Sequence, residues 1–599
     1  MNSAQNDTIN AAERERILEW TADCFPLDVR EEAAETWYQY TRGMDAPHLD
    51  DYLHPLQFGT GGLRGLIGNG AGRMNAWTVG RTTMGLCRFL KKHYPKNTAL
   101  VIAHDSRRMS PEFAQTVAGV AAGLGLQVYL FDGVTPTPLL SYGIRHFKAS
   151  GGVVITASHN PPEYNGYKVY MHDGSQMVGQ MQSDLEATIE DAGSWSDIAF
   201  RSPTDPVYQK GVALVGPEVR KSYYQEFQKL FFVGRKSDRR SQLLLIYSPL
   251  HGTGGPWLPG LLEKYGFRVE MVPQQAEPDG EFPTVSYPNP EEREALKLAE
   301  ELAARRSADL FLATDPDADR LGAGVRMPDG SYENLNGNQL GSIMCAWLAE
   351  QSAGSKADVQ WHIMKTIVTT DLQARIAEKN NLICHDVLTG FKYIAEQMRL
   401  IENQEAPYGP RDRYLFGGEE SYGYLPVDFV RDKDSLASAL LLCEIAAAEG
   451  NLIDYLNQIY LKYGLYLEDL KSVTLKGSKG QARIQQTLQE LRDSSLTDWT
   501  LGSRKVIGVL DYQSQKASGD ADQGIFKTLP ASNVIQLLLE GGGKLTIRPS
   551  GTEPKIKLYA SLRCNKNIST LDELPAARKA LEDELALVSG HFLARTSLT

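Results

Sequence analysis

The sequence predicts an α/β protein, with three similar mixed α/β domains followed by a smaller C-terminal α+β domain. A unit of apolar strand, polar loop, helix, turn and second apolar strand recurs at residues 99–131, 243–272 and 362–384. Each copy is the pattern of two parallel strands joined by a crossover helix. Beyond about residue 472 the pattern changes to a helix-like stretch at 481–491 and three late strands around 534–539, 544–548 and 555–560. A length of 599 residues agrees, since about 150 residues per domain gives roughly four domains.

In chain order, residues 1–45 read as an amphipathic helical extension packed on the first domain. The three α/β domains are expected at 46–235, 236–340 and 341–470, and the α+β domain at 471–599. Hydrophobic content of 42% and charged content of 23% are those of a soluble globular protein. The formal net charge is −12, and no Lys/Arg block is long enough to serve as a nucleic-acid or membrane patch. The six cysteines are scattered without a C-x-x-C, which points away from zinc and from a disulfide framework. Residues 1–19 are polar, and no apolar run reaches the ~18 residues of a membrane span. A cytoplasmic protein, monomeric or a small homo-oligomer, is expected.

Three loops carry the chemistry. The apolar run 152–155 hands Thr156-Ala157-Ser158-His159-Asn160-Pro161-Pro162 to the C-terminal end of a sheet, where such folds bind ligands. A hydroxyl, an imidazole and Lys168 then lie within a dozen residues, and Asn-Pro-Pro together with Asn165-Gly166 suggests a rigid turn. By itself Ser158 could be a turn residue bonding its own backbone. The second loop, Thr314-Asp315-Pro316-Asp317-Ala318-Asp319-Arg320, also follows a short apolar strand. Carboxylates at alternate positions repel one another unless a cation sits between them, and hard oxygen ligands suit Mg²⁺. A calcium loop is the alternative, but its Asp-x-Asp-x-Asp-Gly pattern with a distant Glu is absent. The third loop, Arg548-Pro549-Ser550-Gly551-Thr552, offers a guanidinium, two hydroxyls and a glycine N–H that can approach an anion. Together these supply a nucleophile, a metal and a phosphate clamp, the parts of a phosphoryl-transfer site.

In order and separation, these loops resemble those of the α-D-phosphohexomutase superfamily, the phosphoglucomutases and phosphomannomutases. The likeness extends to Phe58-Gly59-Thr60-Gly61-Gly62-Leu63-Arg64-Gly65, to Thr389-Gly390-Phe391-Lys392 and to Gly417-Gly418-Glu419-Glu420-Ser421-Tyr422-Gly423. The first of these motifs and Ser248-Pro249-Leu250-His251-Gly252 are most similar to a long branch containing bacterial α-phosphoglucomutases and phosphopentomutases. The resemblance implies four domains around a central cleft and an isomerase of the intramolecular phosphotransferase kind. Its substrates would be small phosphosugars of glucose metabolism.

The implied roles follow residue by residue. Ser158 would carry the phosphate and share one Mg²⁺ per site with Asp315, Asp317 and Asp319. Lys168 or His159 would move the proton of the attacking hydroxyl, and Arg64 and Arg320 would stabilise the transferring group. Lys392, Glu419 and Ser421 would hold the sugar, and Arg548, Ser550, Gly551 and Thr552 its distal phosphate. Glucose 1-phosphate and glucose 6-phosphate are the leading substrates, with glucose 1,6-bisphosphate as intermediate and activator. Phosphopentomutase, phosphomannomutase and glucose-1,6-bisphosphate synthase are the alternatives within this class. A non-catalytic sugar-phosphate sensor, or a phosphatase with an aspartyl nucleophile in Asp315-Pro316-Asp317, would belong to another.

Overall fold

A computed structural model of the chain describes residues 9–59, 62–96, 98–231, 239–352, 358–475, 477–549 and 555–596. Four sheets follow one another along it. In the first, the strands Ala99–His104, Gln127–Phe131, Gly151–Ile155 and Val212–Val215 are parallel, and Tyr164–Met171 and Gly62–Leu66 add antiparallel strands at one edge. The second repeats this plan: Leu244–Ser248, Arg268–Met271 and Leu310–Thr314 are parallel, and Leu321–Arg326 and Tyr332–Leu335 return antiparallel. The third has Gln360–Thr366, Ile383–Val387 and Asp412–Gly418 parallel, with the short antiparallel Tyr424–Leu425. The three recurrent units are thus parallel strand pairs with crossover helices.

The return strands fix where the chemistry sits. In each α/β sheet a parallel strand ends, a loop follows, and the chain comes back antiparallel beside it. Residues 156–163, 315–320 and 419–423 are the loops in that position in sheets one, two and three. The fourth sheet is antiparallel around Tyr466–Thr474, Arg504–Asp511, Ile535–Leu539, Gly543–Pro549 and Lys555–Arg563, and the turn after Gly543–Pro549 lies outside the described residues. Tyr466–Thr474, which spans position 470, lies wholly in the fourth sheet, so that sheet begins a few residues before 471, and the helix Gly337–Ser352, which spans position 340, joins the second sheet to the third. The C-terminal helix Leu574–Arg595 packs on the fourth sheet through Leu581, Leu585, Val588 and Phe592.

Local sequence explains the main elements. Gly151–Ile155 and Leu310–Thr314 are fully buried, as expected of strands covered on both faces. The helix Ala76–His93 starts at a capping box in which the Asn75 side chain accepts from Thr78 N and the Thr78 hydroxyl accepts from Asn75 N. The N-terminal helices Ala11–Glu19 and Leu27–Thr41 bury Ile17, Trp20, Phe25, Val29 and Ala33 against Tyr52 and Leu53, with Trp77 and Trp195 packed alongside. They therefore sit on the first domain. Among the described residues no single helix is long and apolar enough to cross a membrane.

One local expectation is corrected. Asn165-Gly166 does not turn; both residues lie inside the strand Tyr164–Met171. Gly166 is needed there because a Cβ would stand 2.5 Å from Thr156 O and 2.9 Å from Leu63 O, the strands on either side. The Asn165 side chain instead donates to Arg108 O and Ser110 Oγ, both at 2.9 Å.

Candidate active site

Ser158 stands at the head of the first loop with φ of 54° and only 3% of its surface exposed. A left-handed, non-glycine residue in a tight turn is held there by its surroundings. Its N–H donates to Thr156 Oγ1 at 2.8 Å, and the loop carbonyls are gathered by Arg107. This guanidinium, fully buried and 3.2 Å from Asp105, donates to the carbonyls of Ser158, Asn160, Pro161 and Tyr164. Three groups converge on Ser158 Oγ. It donates to Asp315 Oδ2 at 2.9 Å, accepts from Arg320 Nη1 at 3.0 Å, and lies 3.1 Å from His159 Nδ1.

The second loop is built from three sides. Thr253 N donates to Pro316 O at 2.7 Å, Thr137 N to Asp317 O at 2.9 Å, and the Ser435 hydroxyl to Ala318 O. These donors come from the second, first and third domains respectively. Asp315 Oδ1 accepts from the backbone N–H of Asp319 and Arg320 at 3.1 and 3.0 Å. Asp317 Oδ2 accepts from Lys168 Nζ at 2.8 Å and Thr137 Oγ1 at 2.9 Å, while Lys433 Nζ sits 3.0 Å from Asp319 Oδ2. Lys168 also lies 3.7 Å from Asp319.

Burial, reinforced by Asp319 and Asp317, holds the Asp315 carboxyl well above its ordinary range. Burial would raise Asp317 too, but Lys168, Lys433 and Arg320 outweigh it and carry that carboxyl well below. In Asp319, burial and the Asp317 charge are likewise overcome by Lys433 and Lys168. His159 is lowered well below the usual imidazole value by burial and then by Arg320 and Arg64. It is neutral at pH 7, so its Nδ1 accepts from Arg320 Nη1.

The acidic triad fits a divalent cation. One oxygen from each of Asp315, Asp317 and Asp319 falls within 4.8 Å of the others, and all three side chains are buried. Oδ1 of Asp317 and Oδ1 of Asp319 are buried without a hydrogen-bond partner. Orphaned carboxylate oxygens in a buried cluster call for a hard cation.

Arg320 joins this centre to the third domain. Its Nε donates to Ser421 O at 3.0 Å, and Leu321 N donates to Tyr422 O at 3.0 Å. Glu419 is buried, which raises its carboxyl to about 7, and its Oε1 accepts from Gly390 N at 3.0 Å. Glu420 instead receives the hydroxyls of Thr366 and Thr369 at 3.1 and 3.2 Å. Lys392, lowered by its burial, donates to Gln182 Oε1 at 3.0 Å across the seam with the first domain. Arg64, on the edge strand, donates to Asn160 Oδ1 at 3.2 Å. Arg548 lies opposite Lys557 in the fourth sheet, close enough to Tyr559 for its charge to act on the hydroxyl. Ser550, Gly551 and Thr552 lie outside the described residues.

The structure thus gathers Ser158, His159, Lys168, Asp315, Asp317, Asp319 and Arg320 into one cluster; the Ser421 carbonyl is bonded to Arg320 and Arg64 to Asn160 of the Ser158 loop, while Glu419 is held on Gly390 N. Sequence reasoning missed Arg107, Thr137 and Lys433. Arg107 occupies the polar loop of the first repeat unit, at 104–110, and Lys433 the alternating run Arg431-Asp432-Lys433-Asp434. Both were visible as charge in or beside an apolar stretch.

Comparison with known proteins agrees. Models of phosphoglucomutase/phosphomannomutase α/β/α domains I, II and III match residues 55–194, 221–327 and 336–463. A curated phosphoglucomutase of Staphylococcus epidermidis is 38% identical over 516 residues, covering 85% of this chain and 91% of that one. One from Staphylococcus aureus is 35% identical over 534 residues, 88% and 93% of the two chains. Among solved structures, parafusin (phosphoglucomutase) of Paramecium in its open form matches with a TM-score of 0.62 at 17% identity, over 89% of this chain and 95% of that one. A phosphoglucomutase/phosphomannomutase family protein of Burkholderia thailandensis matches with a TM-score of 0.60 at 18% identity, over 89% and 97%. At these identities the structural matches speak for the fold.

Proposed function

This chain belongs to the phosphoglucomutase/phosphomannomutase family, and we propose that it interconverts glucose 1-phosphate and glucose 6-phosphate through a phosphoserine and a bound glucose 1,6-bisphosphate. The observation that carries this reading is the convergence of Asp315, Arg320 and His159 on Ser158 Oγ. A serine whose oxygen is to bear and release a phosphoryl anion is served by a guanidinium and a metal-type carboxylate at bonding distance.

Each half-reaction moves one phosphoryl group. A sugar hydroxyl attacks the phosphorus on Ser158, the bond from phosphorus to Oγ breaks, and the hydroxyl proton passes to a base. Lys168 is our choice for that base; it is an ammonium while paired with Asp317 and Asp319, and a cation taking over those carboxylates would free it to give up a proton and accept the hydroxyl's. Neutral His159 is the competing choice. Arg320 and Arg64 offset the charge spread over the phosphoryl oxygens. The intermediate then turns over in the cleft and returns its other phosphate to Oγ, with a proton going back to the sugar oxygen. Arg548, with Ser550, Gly551 and Thr552, serves the non-reacting phosphate in both orientations, while Glu419, Ser421 and Lys392 serve the ring. Asp315, Asp317 and Asp319, with an oxygen on Ser158, would hold one Mg²⁺, which when bound neutralises charge on the transferring group. Glucose 1,6-bisphosphate would also prime the enzyme by phosphorylating Ser158.

Intact and tryptic mass spectrometry, with a coupled glucose 6-phosphate assay, tests the reading. Phosphate is expected on Ser158 of the wild type and absent from Ser158→Ala. Turnover of that variant should fall by roughly four orders of magnitude or more, the scale lost with a covalent nucleophile. Comparing kcat/KM for glucose, mannose and ribose 1-phosphates tests the sugar. A phosphorylated aspartate, or near-normal turnover in Ser158→Ala, defeats the assignment.

A further inference from the structure

Away from the Asp315 loop, a surface cleft of about 630 Å³ opens at the seam of the first two domains. Arg220 and Lys221, on the helix Pro217–Glu226, line it together with Lys264, the last residue of the helix Leu258–Lys264. None of these three cations makes an ion pair among the described residues, although the chain as a whole carries −12. Arg220 is also fixed in place. Its guanidinium stacks over the Trp257 ring at 4.1 Å, Trp257 Nε1 is anchored on Val134 O at 3.2 Å, and the Arg220 Nε is buried without a hydrogen-bond partner. A stacked guanidinium keeps its hydrogen-bonding edge free for a planar or tetrahedral oxyanion. Lys264 is poised beside it, donating to Tyr224 O at 3.3 Å. The one carboxylate in the cleft, Asp132, packs against the backbone of Gly216, where a Cβ would stand 2.3 Å from its Oδ1. There it faces the start of Pro217–Glu226, where negative charge is favoured by the helix end, and it does not pair with the lysines. Gln225 and Gln228 add neutral donors.

We propose that this cleft is a second anion site, for a small molecule bearing a phosphate, distinct from the site that holds Ser158. The volume is that of a small-molecule pocket. Its walls also run toward the metal loop. From Asp132 the chain passes through Val134, which holds Trp257, to Thr137, which holds Asp317. An occupant that braces Arg220 against Trp257 would therefore bear on the segment positioning that carboxylate.

Isothermal titration calorimetry of the full-length protein tests this, with inorganic phosphate and glucose 6-phosphate as probes. Wild type and Arg548→Gln should both show the cleft site, whereas Arg220→Gln/Lys264→Gln should weaken it about ten- to a hundredfold, the loss of charged hydrogen bonds. The single variant Lys221→Glu, at an exposed position, should weaken it with no change in thermal midpoint. Inorganic phosphate binding as tightly as glucose 6-phosphate identifies free phosphate as the ligand, and tighter glucose 6-phosphate a phosphorylated metabolite. Isotherms of Lys221→Glu and of the double variant that match wild type would overturn the proposal. Loss of Ser158 phosphorylation would leave the cleft isotherm unchanged, so failure of the mutase reading and failure of this one are separable.

Discussion

Asp317→Asn offers the sharpest test of the metal loop. Two donors, the Lys168 ammonium at 2.8 Å and the Thr137 hydroxyl at 2.9 Å, converge on Asp317 Oδ2. An asparagine must keep its carbonyl oxygen there, which sends its NH₂ to the position of the orphaned Oδ1. A donor then faces the point where a cation is expected. Mg²⁺ affinity should fall by more than about a hundredfold, beyond the range seen for outer-shell partners, and turnover should fall with it. Stability responds too. Surrounding cations hold the Asp317 carboxyl below its ordinary range despite burial, so attraction exceeds desolvation and repulsion combined. Neutralising it should cost stability, about 1–3 kcal/mol, because charged hydrogen bonds are lost while Asp319 stays 3.7 Å from Lys168. A depressed carboxyl stabilises the fold above its unfolded pKa, near ~4, and that contribution is lost as pH falls through the folded value. The gap in thermal midpoint between wild type and variant should therefore narrow in acid. Calorimetric Mg²⁺ titration and melts across pH make the check. Wild-type Mg²⁺ affinity and turnover in the variant would refute the reasoning.

Arg107→Lys should lower the thermal midpoint by the equivalent of at least about 2 kcal/mol and reduce kcat more than KM, because one ammonium cannot serve four loop carbonyls. Circular-dichroism melts and steady-state kinetics measure both. For Glu419, raised by burial to about 7, the folded state holds its proton more tightly than the unfolded state. Its contribution to stability therefore declines as pH rises from the unfolded value to about 7, so Glu419→Gln should gain on wild type across that window in pH-resolved melts. The same variant should lose the fall in KM expected as the carboxylate forms near neutrality, which a pH series of KM reads. Arg548→Ala should raise KM for glucose 1-phosphate about ten- to a hundredfold and let more bisphosphate escape, as followed by phosphorus NMR. Unchanged KM and escape would make the loop after Arg548 structural.

Much of the fold was legible because the sheets are covered on both faces. Runs such as 151–155 and 310–314 are continuous apolar stretches ending in polar loops, so strand, loop and chemistry are written side by side. The antiparallel return was not legible, and that is why Asn165-Gly166 read as a turn. Asn-Gly signals a turn only where the chain is free to take one, and here Thr156 O and Leu63 O leave room for nothing larger than glycine in a strand. Arg107, Thr137 and Lys433 were missed because their partners lie far away in sequence. Thr137 acts on Asp317 across 180 residues, and Arg107 on Ser158 across 51.

Those long-range links also decide what kind of object the metal loop is. Its three successive carbonyls, at 316, 317 and 318, are each held by a different domain, and Arg320 closes the circuit onto Ser158 and Ser421. Backbone donors on a tight turn fix where its carboxylates point, so removing one holder releases the side chain on that residue. The spacing of Asp315, Asp317 and Asp319 is therefore set by the assembled first, second and third domains, and not by the short strand pair that carries them. A fragment holding the second domain alone would keep the three aspartates and lose the Thr137, Ser435 and Lys168 contacts that separate their charges. Its carboxylates would then repel with only Arg320 left to offset them, and the turn would lose the geometry that lets one cation meet all three.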